Sequence, residues 1–389
     1  MAAVDLAKRK LVLLLDRIGL CMIKDLIFDG KVDVDFTLAV HPKTGKYFIG
    51  RDLIDNCSEL IGDVYYWRAK LKKEPGYLLG RILGRFQHKQ AIRTLNKNKI
   101  ESIGRISRRP ILHVDPLTIL NSRLSPHDIV ICHDVGPLTH PELFAPGVYE
   151  LYDAIYKHMA KIGPHVAFVS HASRNMFNKI LNSRALASSA VIYPPIRQIK
   201  PNDHNVEIGD IKSPFFLTVG AVGSRKNQLL SIKAFQLSKL HERGFSYVIC
   251  GGKESGYEEV EEAAGSTPGV ILLPYVSEGM LNWLYKSAVA FVLMSKLEGF
   301  GIPVAEAIAH GLIPLVSRDS VLHEVSGDGA VLADENDVQN IEHSMRMMVT
   351  MSDEERALRR KSLGDSIQRF KLETFTQEWT SFIKAALNR

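Results

Sequence analysis

The chain has 389 residues, 46% of them apolar and 24% charged, with 49 Lys and Arg against 43 Asp and Glu. That balance is ordinary for a globular enzyme and excludes a disordered or collagen-like chain, and the length exceeds what one hydrophobic core usually organises, so two domains of roughly 150 to 200 residues are expected. Cys21, Cys57, Cys132 and Cys250 lie far apart, with no Cys-x-x-Cys and no paired Cys/His spacing, which excludes a zinc site and leaves reduced core thiols.

At the start of the chain Lys8, Arg9 and Lys10 precede an apolar run at 11–15 that Asp16 and Arg17 stop. A secretory signal needs about 7 to 15 apolar residues and a membrane span about 20, so the run is read as a buried first strand in a cytoplasmic protein. Further strand-like runs fall at 36–40, 111–114, 129–132, 166–169 and 190–193, an irregular α/β alternation. Between residues 67 and 109, thirteen Lys or Arg oppose only Glu74 and Glu101, an excess larger than the +6 of the whole chain. Within it Arg81, Arg85, Lys89 and Arg93 recur every four residues, while Leu79, Ile82, Leu83 and Phe86 supply an apolar face. This pattern predicts an amphipathic basic helix suited to an anionic partner, with the inner face of the plasma membrane as the peripheral docking surface. Trp67, Tyr77 and Phe86 are too few aromatics to favour nucleic acid.

The segment 201–214 is rich in Pro, Asn, Asp, Gly and Ser and is read as a linker between an N-terminal domain, 1–200, and a C-terminal one, 215–370. Beyond it the alternation is regular. Strand runs at 215–220, 247–250, 270–273, 289–294 and 312–316 are interleaved with helical patterns at 229–240, 258–264, 278–287 and 302–310, which predicts a parallel, doubly wound sheet. A pair of helices completes the chain. The first is opened by a capping box of Ser352 with Glu355, and a terminal helix at 371–389 is expected to pack back on the N-terminal domain.

In such sheets ligands bind beyond the carboxyl ends of the strands. Two loops of the second domain qualify. One follows Gly220 and carries Arg225 and Lys226; the other carries Glu298, Gly299, Phe300 and Gly301 and runs into the helix of Ile302 and Glu306. Glycines there permit close backbone approach, Pro303 suits a first helical turn, and Gly311 ends the helix. A helix start flanked by two cations is a diphosphate site. Beside it the carboxylates of Glu298 and Glu306 suit the uncharged hydroxyls of a ribose or sugar. Gly251-Gly252-Lys253 lacks the phosphate-loop spacing and is read as a tight turn.

The run Glu298-Gly-Phe-Gly-Ile-Pro-Val-Ala-Glu306-Ala-Ile-Ala-His-Gly311 closely resembles the Glu-x7-Glu region of the family-4 retaining glycosyltransferases. The loop from Val219-Gly220 to Arg225-Lys226-Asn227 is similar to that family's phosphate loop, and 284–288 and 322–327 to segments flanking its motif. His133-Asp134 with His140-Pro141, 170–174 and 192–194 resemble family signposts in the first domain. The resemblance implies a GT-B fold, two Rossmann-like domains facing across a cleft, and transfer of a hexose from a nucleotide-diphosphate sugar to a glycan or lipid-linked acceptor in cell-surface or exopolysaccharide synthesis. It assigns Glu306 to the nucleotide ribose, Glu298 to a donor-sugar hydroxyl, Arg225 and Lys226 to the leaving diphosphate with backbone amides of 300–302, His133 to the reacting carbon and Asp134 to the acceptor. It also implies front-face displacement with neither metal nor cofactor, the two cations and the helix dipole standing in for a divalent ion. The chain departs from the family's pattern at Ala221, where many members carry arginine, and in the stretch 16–25, which offers only Gly19 where a glycine-rich loop is usual. A nucleotide-sugar epimerase or phosphorylase on the same fold, and a non-catalytic binder of anionic polymers, are the alternatives.

Overall fold

The computed structural model describes residues 26–40, 44–97, 100, 105–181, 185–197, 211 and 214–388. The apolar run at 11–15, the stretch 16–25, Cys21 and nearly all of the linker 201–214 lie outside the described residues. The chain divides into two compact units. The first takes in residues up to Pro141, Pro146–Tyr193 and those from Glu373 on; the second is Glu142–Ala145 and Pro194–Leu372.

Unit 1 is built on a seven-stranded sheet. In chain order it contains β1 (Val32–Asp35), α1 (Gly45–Asn56), β2 (Ile61–Tyr66), β3 (Ala69–Lys70), α2 (Tyr77–Lys97), β4 (Ile111–His113), β5 (Ile129–Cys132), α3 (Val148–Ile162), β6 (His165–Phe168), α4 (His171–Ile180) and β7 (Ser188–Val191). The strand order is β3-β2-β1-β4-β5-β6-β7, parallel except for the β2–β3 hairpin. The expected strand at 36–40 is corrected. The strand is Val32–Asp35, and Thr37–Val40 forms a tight 3-10 turn. The reason is that Asp33 and Asp35 are interior residues. Asp35 accepts from the Thr37 amide and from Asn121, and Asp33 from the Asp63 amide, Ser107 and Arg109. Two aspartates that read as loop are therefore core residues with their hydrogen bonds met. Burial still pushes the Asp35 carboxyl up to about 7.

Unit 2 carries a six-stranded, all-parallel sheet of order β10-β9-β8-β11-β12-β13. Its elements are β8 (Phe215–Val219), α5 (Gln228–Ser238), β9 (Ser246–Cys250), α6 (Tyr257–Ser266), β10 (Val270–Leu273), α7 (Glu278–Ser287), β11 (Ala290–Leu293), α8 (Ile302–Ala309), β12 (Pro314–Ser317), α9 (Val321–Ser326), β13 (Val331–Ala333), α10 (Val338–Thr350) and α11 (Asp353–Ser366). The central strands are buried on both faces, as parallel strands covered by helices must be: every residue of β11 and β12 is buried. Ser352 caps α11 by accepting from the Glu355 amide at 3.2 Å. The last helix, α12 (Leu372–Leu387), buries Phe375, Trp379, Phe382 and Ile383, and from Glu373 on it belongs to unit 1.

Both sheets reverse their winding once, between β1 and β4 in unit 1 and between β8 and β11 in unit 2. At such a point the flanking connections leave to opposite faces and open a crevice at the carboxyl edge.

Unit 1 also holds a buried ion pair. Arg105 forks onto both oxygens of Asp128 at 2.6 and 3.0 Å, and Asp128 in addition accepts from the amides of Ile111 and Ser125. Asp128→Ala should leave an uncompensated guanidinium in the interior and cost about 3–5 kcal/mol. The check is a fall in the urea midpoint of the transition that unfolds unit 1.

Candidate functional site

The switch point of unit 2 gathers the residues singled out in its two loops. The loop after β8 begins at Gly220, whose φ of 141° lies in a region that favours glycine, and which presents its bare face to the Lys226 stem. A Cβ at Gly251 would collide with the Gly220 carbonyl oxygen, so the Gly251-Gly252-Lys253 turn needs its glycine for close strand-to-loop approach. Gln228, at the start of α5, holds the loop. It accepts from the Gly223 amide at 3.2 Å and donates to the Ala221 carbonyl at 2.9 Å. The loop after β11 is zipped to it directly, the Lys296 amide donating to the Arg225 carbonyl at 3.0 Å.

Glu298 sits between the loops, its side chain one-tenth exposed. Its carboxylate accepts from Lys226 and, at 2.8 Å, from Ser295, with Arg225 Nη1 at 3.5 Å. Burial alone would raise this carboxyl, but Lys226 and then Arg225 outweigh it and hold it below its ordinary value. The same burial, with Arg225 alongside, lowers the Lys226 ammonium despite Glu298. Arg225 is clamped further by Glu254, at 3.2 and 3.3 Å, and by the Leu297 carbonyl at 3.0 Å. The expected pair of cations is thus present, and each is already paired with a carboxylate.

Helix α8 starts at the end of this loop. Gly301 takes φ 95°, no side chain caps the helix, and Pro303 occupies its first turn. Phe300 is buried, edge-on against Phe370 at 5.0 Å, and so fixes the approach to Ile302. Glu306 lies one turn inside and is 4% exposed. Tyr285 donates to it at 3.0 Å and Arg197 Nε stands 3.4 Å away. Burial raises its carboxyl, opposed by Arg197 and the Tyr285 hydrogen bond. His310 stacks on Tyr285 at 5.0 Å and closes the helix at its other end.

His133 and Asp134 belong to unit 1, just beyond β5. The His133 Nε2 faces the Val114 carbonyl at 2.8 Å, and since a carbonyl only accepts, that nitrogen carries the proton and Nδ1 is the acceptor. Ser173 donates to the His133 carbonyl at 2.7 Å, and Asp134 accepts from the Gly136 amide at 2.8 Å. Sequence reasoning missed Lys46, at the start of α1, which bridges to Asp115 beyond β4 at 2.9 Å across the switch point of this sheet. It also missed Gln228, Glu254 and Arg197. Polar residues in turns look alike in sequence, and only strand order brings these together; the tandem Asp115-Pro116 helix-start signal was available for Asp115.

Residues 200–363 match the model of the family "Glycosyl transferases group 1". Two curated relatives are similar over part of the chain. The O-antigen chain mannosyltransferase RfbU of Salmonella typhimurium is 28% identical over 58% of this chain and 61% of its own length. O-antigen chain mannosyltransferase B of Escherichia coli is 34% identical over 33% of this chain and 34% of its own length. The chain thus spans less than two thirds of either relative. Among solved structures, an α,α-trehalose-phosphate synthase from Burkholderia xenovorans superposes with a TM-score of 0.55 at 11% identity, covering 80% of this chain and 79% of that one.

Burial, then the nearby Lys46, lowers the His133 imidazole to about 4, and burial lowers His113 to about 4 as well. Both stay neutral in the folded unit while the unfolded chain takes up protons near pH 6.5. The two histidines therefore contribute stability that is lost as pH drops from about 6.5 towards 4, because the unfolded state binds their protons first, while the raised Asp35 carboxyl opposes them with one proton taken up by the folded unit. Unfolding midpoints across that window check this, and His133→Asn should flatten part of the slope.

The two doubly wound, largely parallel sheets and the structural likeness make this a GT-B fold, and its second unit carries a match to the group 1 glycosyl transferases.

Proposed function

We propose that the chain is a retaining glycosyltransferase of the family-4 type that moves a hexose from a nucleotide-diphosphate sugar onto a glycan or lipid-linked acceptor in cell-surface polysaccharide assembly. The observation that carries this reading is Glu298 held between Lys226 and Arg225 at the foot of an uncapped, glycine-led helix whose next turn buries Glu306. In this reading the first turn of α8 and the two cations take the diphosphate, with the amides of 300–302 assisting. The cations then stabilise the charge that develops as the phosphate leaves, and that phosphate takes the acceptor proton. Glu298 receives a donor-sugar hydroxyl. Glu306, held by Tyr285, receives the ribose. His133, neutral and oriented by Val114, is assigned to the donor sugar and Asp134 to the acceptor.

No metal or cofactor is needed in this scheme, since charge stabilisation comes from Arg225, Lys226 and the helix dipole. The matched relatives bear the name mannosyltransferase, which makes a nucleotide-diphosphate mannose the first donor to test. A cytoplasmic site of action is supported by Cys57, Cys132 and Cys250 being buried and free.

Lys226→Met should lower kcat about 10²–10³-fold, the loss expected when one preorganised donor to developing charge is removed. Glu306→Gln should raise the donor KM with a smaller change in kcat, since it serves binding before the reaction. Both are read in a transfer assay with acceptor present, with thermal melts to show that the fold persists. Activity should survive EDTA, and proton NMR of the product should show the donor's anomeric configuration. Full activity of both variants, or product from donor alone, would overturn the reading.

A further inference from the structure

The thirteen basic residues between 67 and 109 do different things once folded. Arg105 is spent on Asp128, Arg109 on Asp29 and Asp33, and Lys70 on Asp63. Trp67 stacks on Phe86 at 4.9 Å and donates to Gln90 at 3.2 Å, so both rings anchor α2 to its own unit. Gly80, Leu83, Gln87 and Thr94 form the buried side of that helix.

The opposite side is a continuous exposed stripe of Leu78, Arg81, Arg85, His88, Lys89, Ile92 and Arg93. Among the described residues no carboxylate pairs with Arg81, Arg85, Lys89 or Arg93, and the sequence of α2 contains no Asp or Glu at all. Large apolar groups lie among these cations: Tyr77 is 76% exposed, Leu78 75% and Ile92 41%. Arg81 folds back over the Tyr77 ring at 5.6 Å, which keeps that ring at the helix end.

We infer that this face of α2 is a docking surface for an anionic lipid bilayer, lying flat with its cations among the headgroups and Tyr77 and Leu78 inserted at one end. Charge complementarity sets the sign of the partner. The interspersed apolar side chains decide its kind. A nucleic-acid groove would line its cations with exposed stacking rings, and here two of the three aromatics of the region, Trp67 and Phe86, are half-buried and stacked on each other. A helix of 21 residues reaches about 31 Å, which lets all four cations meet one plane. A bilayer accepts both halves of such a face, whereas a soluble polyanion leaves Leu78 and Ile92 in water.

The test is co-sedimentation of the whole chain with vesicles, with no sugar donor present, so that its outcome is independent of the transfer reaction. Vesicles of phosphatidylcholine with phosphatidylglycerol should bind the protein and pure phosphatidylcholine should not. Arg85→Glu with Lys89→Glu should weaken binding by at least about thirtyfold, from about fivefold for each cation lost near an anionic surface and a further loss for each carboxylate added. Tyr77→Ser with Leu78→Ser should weaken it at unchanged net charge. Lys233→Glu with Lys384→Glu, which makes the same charge change at exposed sites elsewhere, should leave it intact. Equal loss in that control, no binding of the wild type, or tighter binding of RNA than of vesicles at about 0.2 M salt would each overturn the inference.

Discussion

A buried carboxylate has to be compensated, and Glu298 is compensated by two cations brought from another loop. That requirement organises unit 2. Lys226 and Arg225 reach Glu298 only if the connection after β8 folds over the connection after β11, which the Lys296 amide and the bare face of Gly220 both allow. Glu254 from the next loop then neutralises the rest of Arg225. In the free protein the formal charges of Arg225, Lys226, Glu254 and Glu298 cancel. The start of α8, which no side chain caps, adds the positive pole of its helix dipole at this edge. In the proposed reading, an arriving diphosphate meets side chains already fixed in place, and gains from cations whose desolvation has been met in advance by their carboxylate partners.

Unit 1 solves a similar problem at its own switch point with a single pair. Lys46 and Asp115 bridge the strands on either side of the winding reversal, and the backbone next to Asp115 accepts the His133 proton. Burial and the Lys46 charge keep this imidazole from taking a second proton. A neutral ring with one nitrogen committed is a fixed hydrogen-bonding group and not a proton shuttle at neutral pH.

Much of unit 2 was legible because its strands are predominantly apolar and alternate regularly with helices. The strand at 270–273 and the helix at 278–287 fall where the pattern put them. Unit 1 was harder. β1 interleaves valine with aspartate, and a reader of hydropathy shifts the strand into the apolar 36–40 that follows, since nothing in sequence shows that Asn121 and Thr37 will satisfy Asp35. The hairpin of β2 and β3 was missed for a related reason, its turn resting on Trp67 at a φ of 55° with no glycine to announce it. In the site the glycine-rich loop and the Arg225, Lys226 and Glu298 set were visible from spacing. Their mutual pairing was not, because local sequence does not encode which carboxylate neutralises which cation.

That missing information bears on charge itself. Counted from sequence, the basic block and the phosphate loop look like the same feature, clusters of Lys and Arg awaiting an anion. Folded, they separate by what surrounds each cation. Where carboxylates lie within about 3.5 Å, as around Arg225, Lys226 and Arg105, the positive charge is local and its geometry is fixed. Where none does among the described residues, as along the outer side of α2, the charges add into a field that extends roughly a Debye length into solvent, about 8 Å at physiological salt. The first arrangement can discriminate among small anions by position. The second can only attract an extended surface, and the apolar side chains set among its cations decide which surface that is.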